Sequence, residues 1–306
     1  MAIKKKIRKT KFFINEGIWD IELEELSKVK ARAIKFLQIA IVTLKTFAQQ
    51  KVGPQAVALS YFCTMALIPL IAVMFVVTGG LGLEGYLTDY LKQTLGDTGT
   101  VNFIIEKAGT IIEIAKSGAT GLVSALTFVW LVIWMMFCVE RSFNSVWKVS
   151  RSRNILKSFT YYIGILILSP FVVLIFFSFP IVYTNLFSWM GVNMEAYPII
   201  NSFASWGLFY LLTGFTMTAM FKYIPHAHVR YRNAWRAAFP TAIIFCIFQY
   251  IYLESQTFMT QWNAVYGVLA AIPLFMMWLN ISWQIILYGA QLSYALQNVD
   301  NYKETL

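Results

Sequence analysis

Apolar residues dominate six stretches that hold no Asp, Glu, Lys or Arg: 52–83, 117–139, 158–194, 196–221, 237–253 and 255–299. Their hydrophobic portions run over about 56–78, 120–139, 159–183, 202–221, 236–254 and 267–294. A helix rises about 1.5 Å per residue, so roughly 20 apolar residues cross the hydrocarbon core of a bilayer. The pattern predicts an all-α chain with six membrane-spanning helices. The last stretch has room for a seventh crossing, but residues 255–263 (SQTFMTQWN) are too polar to lie in lipid.

The final segment, 262–292, carries the most informative pattern. At about 100° per residue, Pro273, Asn280, Gln284 and Gln291 fall on one narrow stripe. Lipid offers such a stripe no partner, so it is expected to face protein or a water-filled groove. The rest of the chain is expected to be arranged around this element. In the first span, Ser60 and Thr64 lie one turn apart and can bond back to the backbone or across to a neighbour. Pro69, Pro170, Pro180 and Pro273 each remove a helix hydrogen bond, which predicts kinks. In a transporter they would shape an opening. The fourth span carries Thr213, Gly214, Thr216 and Thr218, small residues that allow close helix approach.

Two regions outside the spans keep a helical period. Within 20–51, Leu26, Val29, Ala33, Phe36 and Leu37 are interleaved with Lys28, Lys30, Arg32 and Lys35. The apolar run 36–44 is too short to cross, so a basic amphipathic helix lying on the membrane surface is expected. Gly53-Pro54 then breaks the chain and starts the first span. In the 79–119 connection, Val101, Ile104, Ile105, Ala108, Ile111, Ile112 and Ala115 repeat at helical spacing. They predict an external helix that caps the bundle or rests on its surface. The chain thus divides into an amino-terminal segment 1–51, one membrane domain 52–297 and a tail 298–306.

Composition agrees. Of the 306 residues 58% are hydrophobic and 13% charged, and mean hydropathy is +0.61, where a soluble domain carries about 25% charged residues. A net charge of +10 suggests nucleic acid until the charges are placed along the chain. Given six crossings, 22 of the 25 Lys and Arg fall in one set of alternate compartments and three in the other. The positive-inside rule puts both termini in the cytoplasm, and the cations against an anionic leaflet instead of nucleic acid. Cys63, Cys138 and Cys246 each sit in an apolar run and read as small core residues. The basic start, MAIKKKIRKTKFFINEGIWD, lacks the apolar region of a secretory signal because Glu16 and Asp20 interrupt it.

Several segments resemble a known family. FKYIPHAHVRYRNAWRAAFPTA (221–242) and WNAVYGVLAAIPLFMMWLNISWQIILYGAQLSYAL (262–296) are similar to the carboxyl half of the YihY/virulence factor BrkB family. AVALSYFCTMALIPLI (56–71) is similar to its first span, and ERSFNSVWKVSRSR (140–153) to its second cytoplasmic loop. The similarity covers roughly 35–297. It implies a six-span protein of the bacterial inner membrane with an envelope role, for which lipid or glycolipid movement and cation–proton exchange are the proposed activities. The family's older label, ribonuclease BN, finds no acidic metal-ligand set here. Many members carry Glu where this chain has Gln291 and Tyr where it has Asn280, so a proton-carrying carboxylate at that place is denied to this chain.

Candidate chemistry follows from these patterns. Asn280, Gln284 and Gln291, with Ser60 and Thr64, form a polar wall for a headgroup or ion, or else interhelical glue. Arg141, Arg151 and Arg153 after the second span, and Lys222, Arg230, Arg232 and Arg236 after the fourth, would contact phosphates or simply fix topology. His226 and His228 fall short of a four-ligand zinc site, and no metal or cofactor is expected. No charged residue lies mid-span, as a proton relay usually requires. A phosphate-binding loop, GxSxG and HExxH are absent, so no enzyme is expected. The reading is a non-enzymatic protein that moves or accommodates a phospholipid or envelope glycolipid. One alternative is a secondary cation/proton antiporter using Glu140 or Glu254. Another is a scaffold with envelope protein partners.

Overall fold

The computed structural model describes residues 18–19, 21, 26–50, 52–80, 88–89, 92, 102, 105–106, 109–110, 119–149, 160, 162–164, 187, 189, 198–260 and 267–300. Among them there is no strand. Six long helices are α1 (Lys28–Gln49), α2 (Val52–Gly80), α3 (Ala119–Val146), α4 (Pro198–Tyr223), α5 (Tyr231–Thr260) and α6 (Gly267–Asn298). Five enclose the expected first, second, fourth, fifth and sixth apolar portions, and α1 is the expected amphipathic helix. The third portion, 159–183, and most of the 79–119 connection lie outside the described residues. By length and composition, Val129–Val146 in α3 and Tyr231–Ser255 in α5 are apolar enough to cross a membrane, with Val52–Leu67 a shorter apolar helix.

Helix α2 begins just before Gly53 and Pro54, so proline occupies the first turn, where no helix bond needs its missing N–H. Pro69 and Pro273 lie within continuous helices, and so does Pro240 of α5. The freed carbonyls are absorbed without ending the helix.

Helix α6 packs against all five of the others. Side-chain contacts fix its directions. Trp283 meets Cys63 of α2, and Trp278 Nε1 donates to Gln249 Oε1 of α5 at 2.9 Å. Phe47 of α1 meets Tyr288, with ring centroids 5.5 Å apart. Val42 clusters with Ala295, and Lys35 pairs with Asp300 at 2.8 Å. Numbers fall on α1 as they rise on α6, so the two are antiparallel. Helices α4 and α5 form an antiparallel hairpin marked by Trp206–Tyr250 (5.7 Å), Phe215–Trp235 (5.3 Å) and Tyr223–Tyr231 (6.2 Å).

Two glycines allow this closeness. A Cβ on Gly289 would lie 2.6 Å from Thr241 Cγ2 and 2.7 Å from Phe221 Cζ, and one on Gly214 would lie 3.0 Å from the Phe239 ring. The tightest core gathers at the end where α2 and α5 begin and α3, α4 and α6 finish. It holds Val52, Ala56, Leu59, Phe143, Val146, Phe221, Ala238, Leu287 and Ala290. Arg141, Lys148, Lys222, Arg230, Arg232 and Arg236 surround it, and we call it the basic end.

Helix α1 has an inverted pattern. Gln38, Thr43 and Thr46 are buried against the bundle, whereas Val29, Phe36 and Leu44 are 77%, 72% and 59% exposed. Thr43 and Thr46 bond the carbonyls of Ile39 and Val42 on their own helix, and Gln38 Nε2 donates to Ile18 O at 2.9 Å. Ile243, Ile244, Ile247 and Ile251 give α5 a similar exposed apolar face. In water both faces would be unfavourable; against lipid they lie in a matching medium.

Candidate functional site

The amide stripe of α6 is present but divided. Gln284 Nε2 donates to Asn280 Oδ1 at 2.7 Å, and both residues are half-buried. Asn280 Nδ2 is buried with no partner. Two turns on, Gln291 is fully buried, and neither its amide nitrogen nor its oxygen is paired. The stripe therefore changes from a partly open pair in mid-helix to a sealed amide at the basic end. Ser60 donates to Val57 O and Thr64 to Ser60 O, each at 2.8 Å. Both hydroxyls are thus engaged with their own helix.

The basic residues gather at one end but not in one cluster. Arg141, Arg230, Arg232 and Arg236 are exposed. Lys222 is occupied: its Nζ donates to Val229 O and lies 4.6 Å from the Tyr231 ring centroid. Arg151, Arg153, Pro170 and Pro180 lie outside the described residues. Pro69 and Pro273 have their backbones placed within α2 and α6.

The structure gives Glu140, which the sequence singles out, partners that the sequence patterns leave unmarked. Glu140 of α3 is 5% exposed and accepts from Tyr162 Oη and, at 3.4 Å, from Asn144 Nδ2. Asn144 Oδ1 in turn accepts the backbone N–H of His226 at 2.7 Å. From the other side, Gln297 Nε2 donates to His228 O at 2.8 Å and its Oε1 accepts from Arg230 N at 2.9 Å. The α4–α5 loop is thus clamped between α3 and α6 through its backbone. Asn144 stands four residues after Glu140, a spacing that puts both on one helix face. Gln297 carries no local signal. Among the described residues no group of three or more His, Cys, Asp or Glu is placed to hold a metal ion, and Cys63, Cys138 and Cys246 are free thiols.

Beside the unpaired amide atoms of Asn280 and Gln291, the hydroxyls of Ser282 and Ser293 and the indole N–H of Trp147 are buried without a partner; the amides can donate and accept hydrogen bonds. Among the described residues Glu140 is the buried carboxylate, and it is held by a phenol and an amide.

Comparison with known proteins agrees with these features. The chain is 24% identical over 268 residues to a UPF0761 membrane protein of Haemophilus influenzae, covering 87% of this chain and 97% of that relative. It is 25% identical over 270 residues to a UPF0761 membrane protein of Actinobacillus pleuropneumoniae, covering 85% and 94%. A relative in Acinetobacter baylyi is 25% identical over 278 residues, covering 90% of this chain and 65% of its own length. No solved structure matches. The family model described as Virulence factor BrkB matches residues 43–306. With its apolar helices, its lipid-compatible outer faces and this match over most of its length, the chain belongs to the Virulence factor BrkB family of membrane proteins.

Proposed function

We propose that this protein is a non-enzymatic, six-span protein of the bacterial inner membrane that moves or accommodates a phospholipid or envelope glycolipid. Both termini lie in the cytoplasm, and the basic end meets the anionic inner leaflet. The observation that carries this reading is the Asn280–Gln284 pair: half-buried, with an unpaired donor, on the helix every other long helix touches. A pair of this kind gives a polar headgroup a foothold on a helix that carries no charged residue. The exposed Arg141, Arg230, Arg232 and Arg236 would hold phosphates at the point of entry. The test is scrambling or transfer of labelled phospholipid by purified protein in vesicles. A rate above empty vesicles is expected. The same rate as empty vesicles, beside a working positive control, removes the reading.

One observation favours a second reading, a cation/proton antiporter: the buried Glu140 carboxylate with its phenol and amide partners. Glu254, the other edge carboxylate, is exposed. This reading requires ion-dependent pH change in vesicles that is lost in Glu140→Gln. Unchanged exchange in that variant removes Glu140 from the role.

A further inference from the structure

Two half-buried amides, Gln50 and Gln55, meet where α1 gives way to α2. Gln50, the C-cap of α1, donates Nε2 to Val146 O at 3.3 Å. Gln55, in the first turn of α2, donates Nε2 to Gln50 O at 3.0 Å and to Ser145 Oγ at 3.1 Å. A carbonyl oxygen only accepts, so these bonds fix which end of each amide is nitrogen. The Oε1 atoms of Gln50 and Gln55 are therefore acceptors, and both are buried without a partner.

Gln291 belongs to the same level. Trp283 of α6 meets Cys63 of α2 at 3.3 Å, and Leu287 shares a core with Leu59. The helices are antiparallel and rise equally per residue, so eight residues on along α6 match eight residues back along α2. That places Gln291 opposite Gln55. On α6, Gln291 points between Tyr288, which meets Phe47 of α1, and Tyr294, which meets Trp147 after α3 at 5.6 Å. Gln291 has no exposed surface and both its polar atoms are unpaired.

Resting on the reading that the protein handles a phospholipid, we propose that Gln50, Gln55 and Gln291 form a buried subsite for a primary ammonium group. Such a group brings three N–H donors on one cation, to meet three unpaired amide oxygens. The surrounding rings of Phe47, Trp147, Tyr288 and Tyr294 favour a cation over a neutral donor. The Tyr294 ring already has the Lys148 ammonium 5.7 Å from its centroid. Two unpaired donors remain, Gln291 Nε2 and Trp147 Nε1, and they suit an oxygen of the adjoining phosphate. A quaternary ammonium keeps the attraction of the rings but has no N–H to give the three oxygens, so it is held more weakly.

The full-length protein, purified in detergent, is titrated with phosphatidylethanolamine and with phosphatidylcholine of the same acyl chains, and bound lipid is counted by native mass spectrometry. Preference for the primary amine is expected at about tenfold, the scale of one good charge-assisted hydrogen bond. The preference is expected to vanish in Gln291→Leu and in Gln55→Leu. Free ethanolamine distinguishes the sources. Competition means the ammonium alone is recognised, and failure to compete while the lipid preference persists means the lipid is required; either supports the subsite. Equal retention of the two lipids overturns the proposal. So does an undiminished preference in both folded variants, or displacement of lipid by potassium but not ethanolamine. Because the readout is equilibrium binding, a negative scrambling result with the preference intact overturns transport alone. Scrambling without preference overturns the subsite alone.

Discussion

Trp283 donates its indole N–H to the sulfur of Cys63, 3.3 Å away and 220 positions earlier in the chain. The contact locks the register of α6 on α2, on which the level of every amide at the basic end depends. Sulfur is a weak acceptor, so Trp283→Phe is expected to cost only about 0.5 kcal/mol, the low end for a hydrogen bond. Trp283→Ala removes a half-buried ring as well and is expected to cost about 3 kcal/mol, the low end for losing a large aromatic. Thermal unfolding of the detergent-solubilised protein separates the two. Equal losses would show that ring packing is not what the indole contributes.

Gly289 lets α6 approach Thr241 of α5 and Phe221 of α4 more closely than a methyl group permits. Thr241 Oγ1 is already bonded to Ala237 O at 2.7 Å and has little freedom to retreat. Gly289→Ala is expected to destabilise the bundle by about 1–3 kcal/mol, the usual range for overpacking. Gly53→Ala is the control, because a Cβ there meets nothing within 4 Å. The melting temperature of the first variant should fall, and that of the second should hold.

The loop after α4 is gripped by Asn144 from one side and Gln297 from the other. Removing either amide leaves the other in place. Asn144→Ala and Gln297→Ala are each expected to cost about 1 kcal/mol, and the pair more than their sum, as neighbours sharing one loop couple. Limited proteolysis within 224–230 is the readout. Cleavage should accelerate slightly in each single variant and sharply in the double.

Lys35 and Asp300 join α1 to the residues after α6, but Asp300 is exposed and Lys35 is half exposed. Lys35→Ala is expected to change stability by no more than about 0.2–1 kcal/mol, as measured for exposed pairs. The effect should shrink in high salt. A larger, salt-insensitive loss would mean that this pair, and not the buried face of α1, holds the helix in place.

Gln284→Leu removes the donor that occupies Asn280. Interhelical amide contacts contribute only about 0.6 kcal/mol on average, so folding is expected to survive. Lipid transfer in vesicles should fall several-fold. Full transfer in a folded Gln284→Leu protein would assign the pair a packing role.

Much of this was legible in the chain. The period of α6 singled it out as the central element because its polar residues share one stripe, and a stripe needs a neighbour. The amphipathic character of α1 was legible as well. What could not be read was which side of α1 is inside, since Gln38, Thr43 and Thr46 look like solvent-facing residues until the medium is known to be lipid. The division of the stripe into an open pair and a sealed Gln291 was hidden for another reason. It depends on α1 and α2 closing over one end, which is a contact across more than 200 residues. Gln50 and Gln55 looked like ordinary junction residues because their meaning comes from Ser145 and Val146 of a different helix.

The place of α6 in the chain bears on how the protein is made. Helices α1 to α5 leave the ribosome before the partner they share exists, so the faces they will turn towards α6 stay uncovered until it is made. Biogenesis thus has a vulnerable interval that ends only when residues 267–298 emerge. A nascent chain halted before Gly267 should be held by insertase or chaperone, or cleared by membrane proteases, while one released after Asn298 should survive.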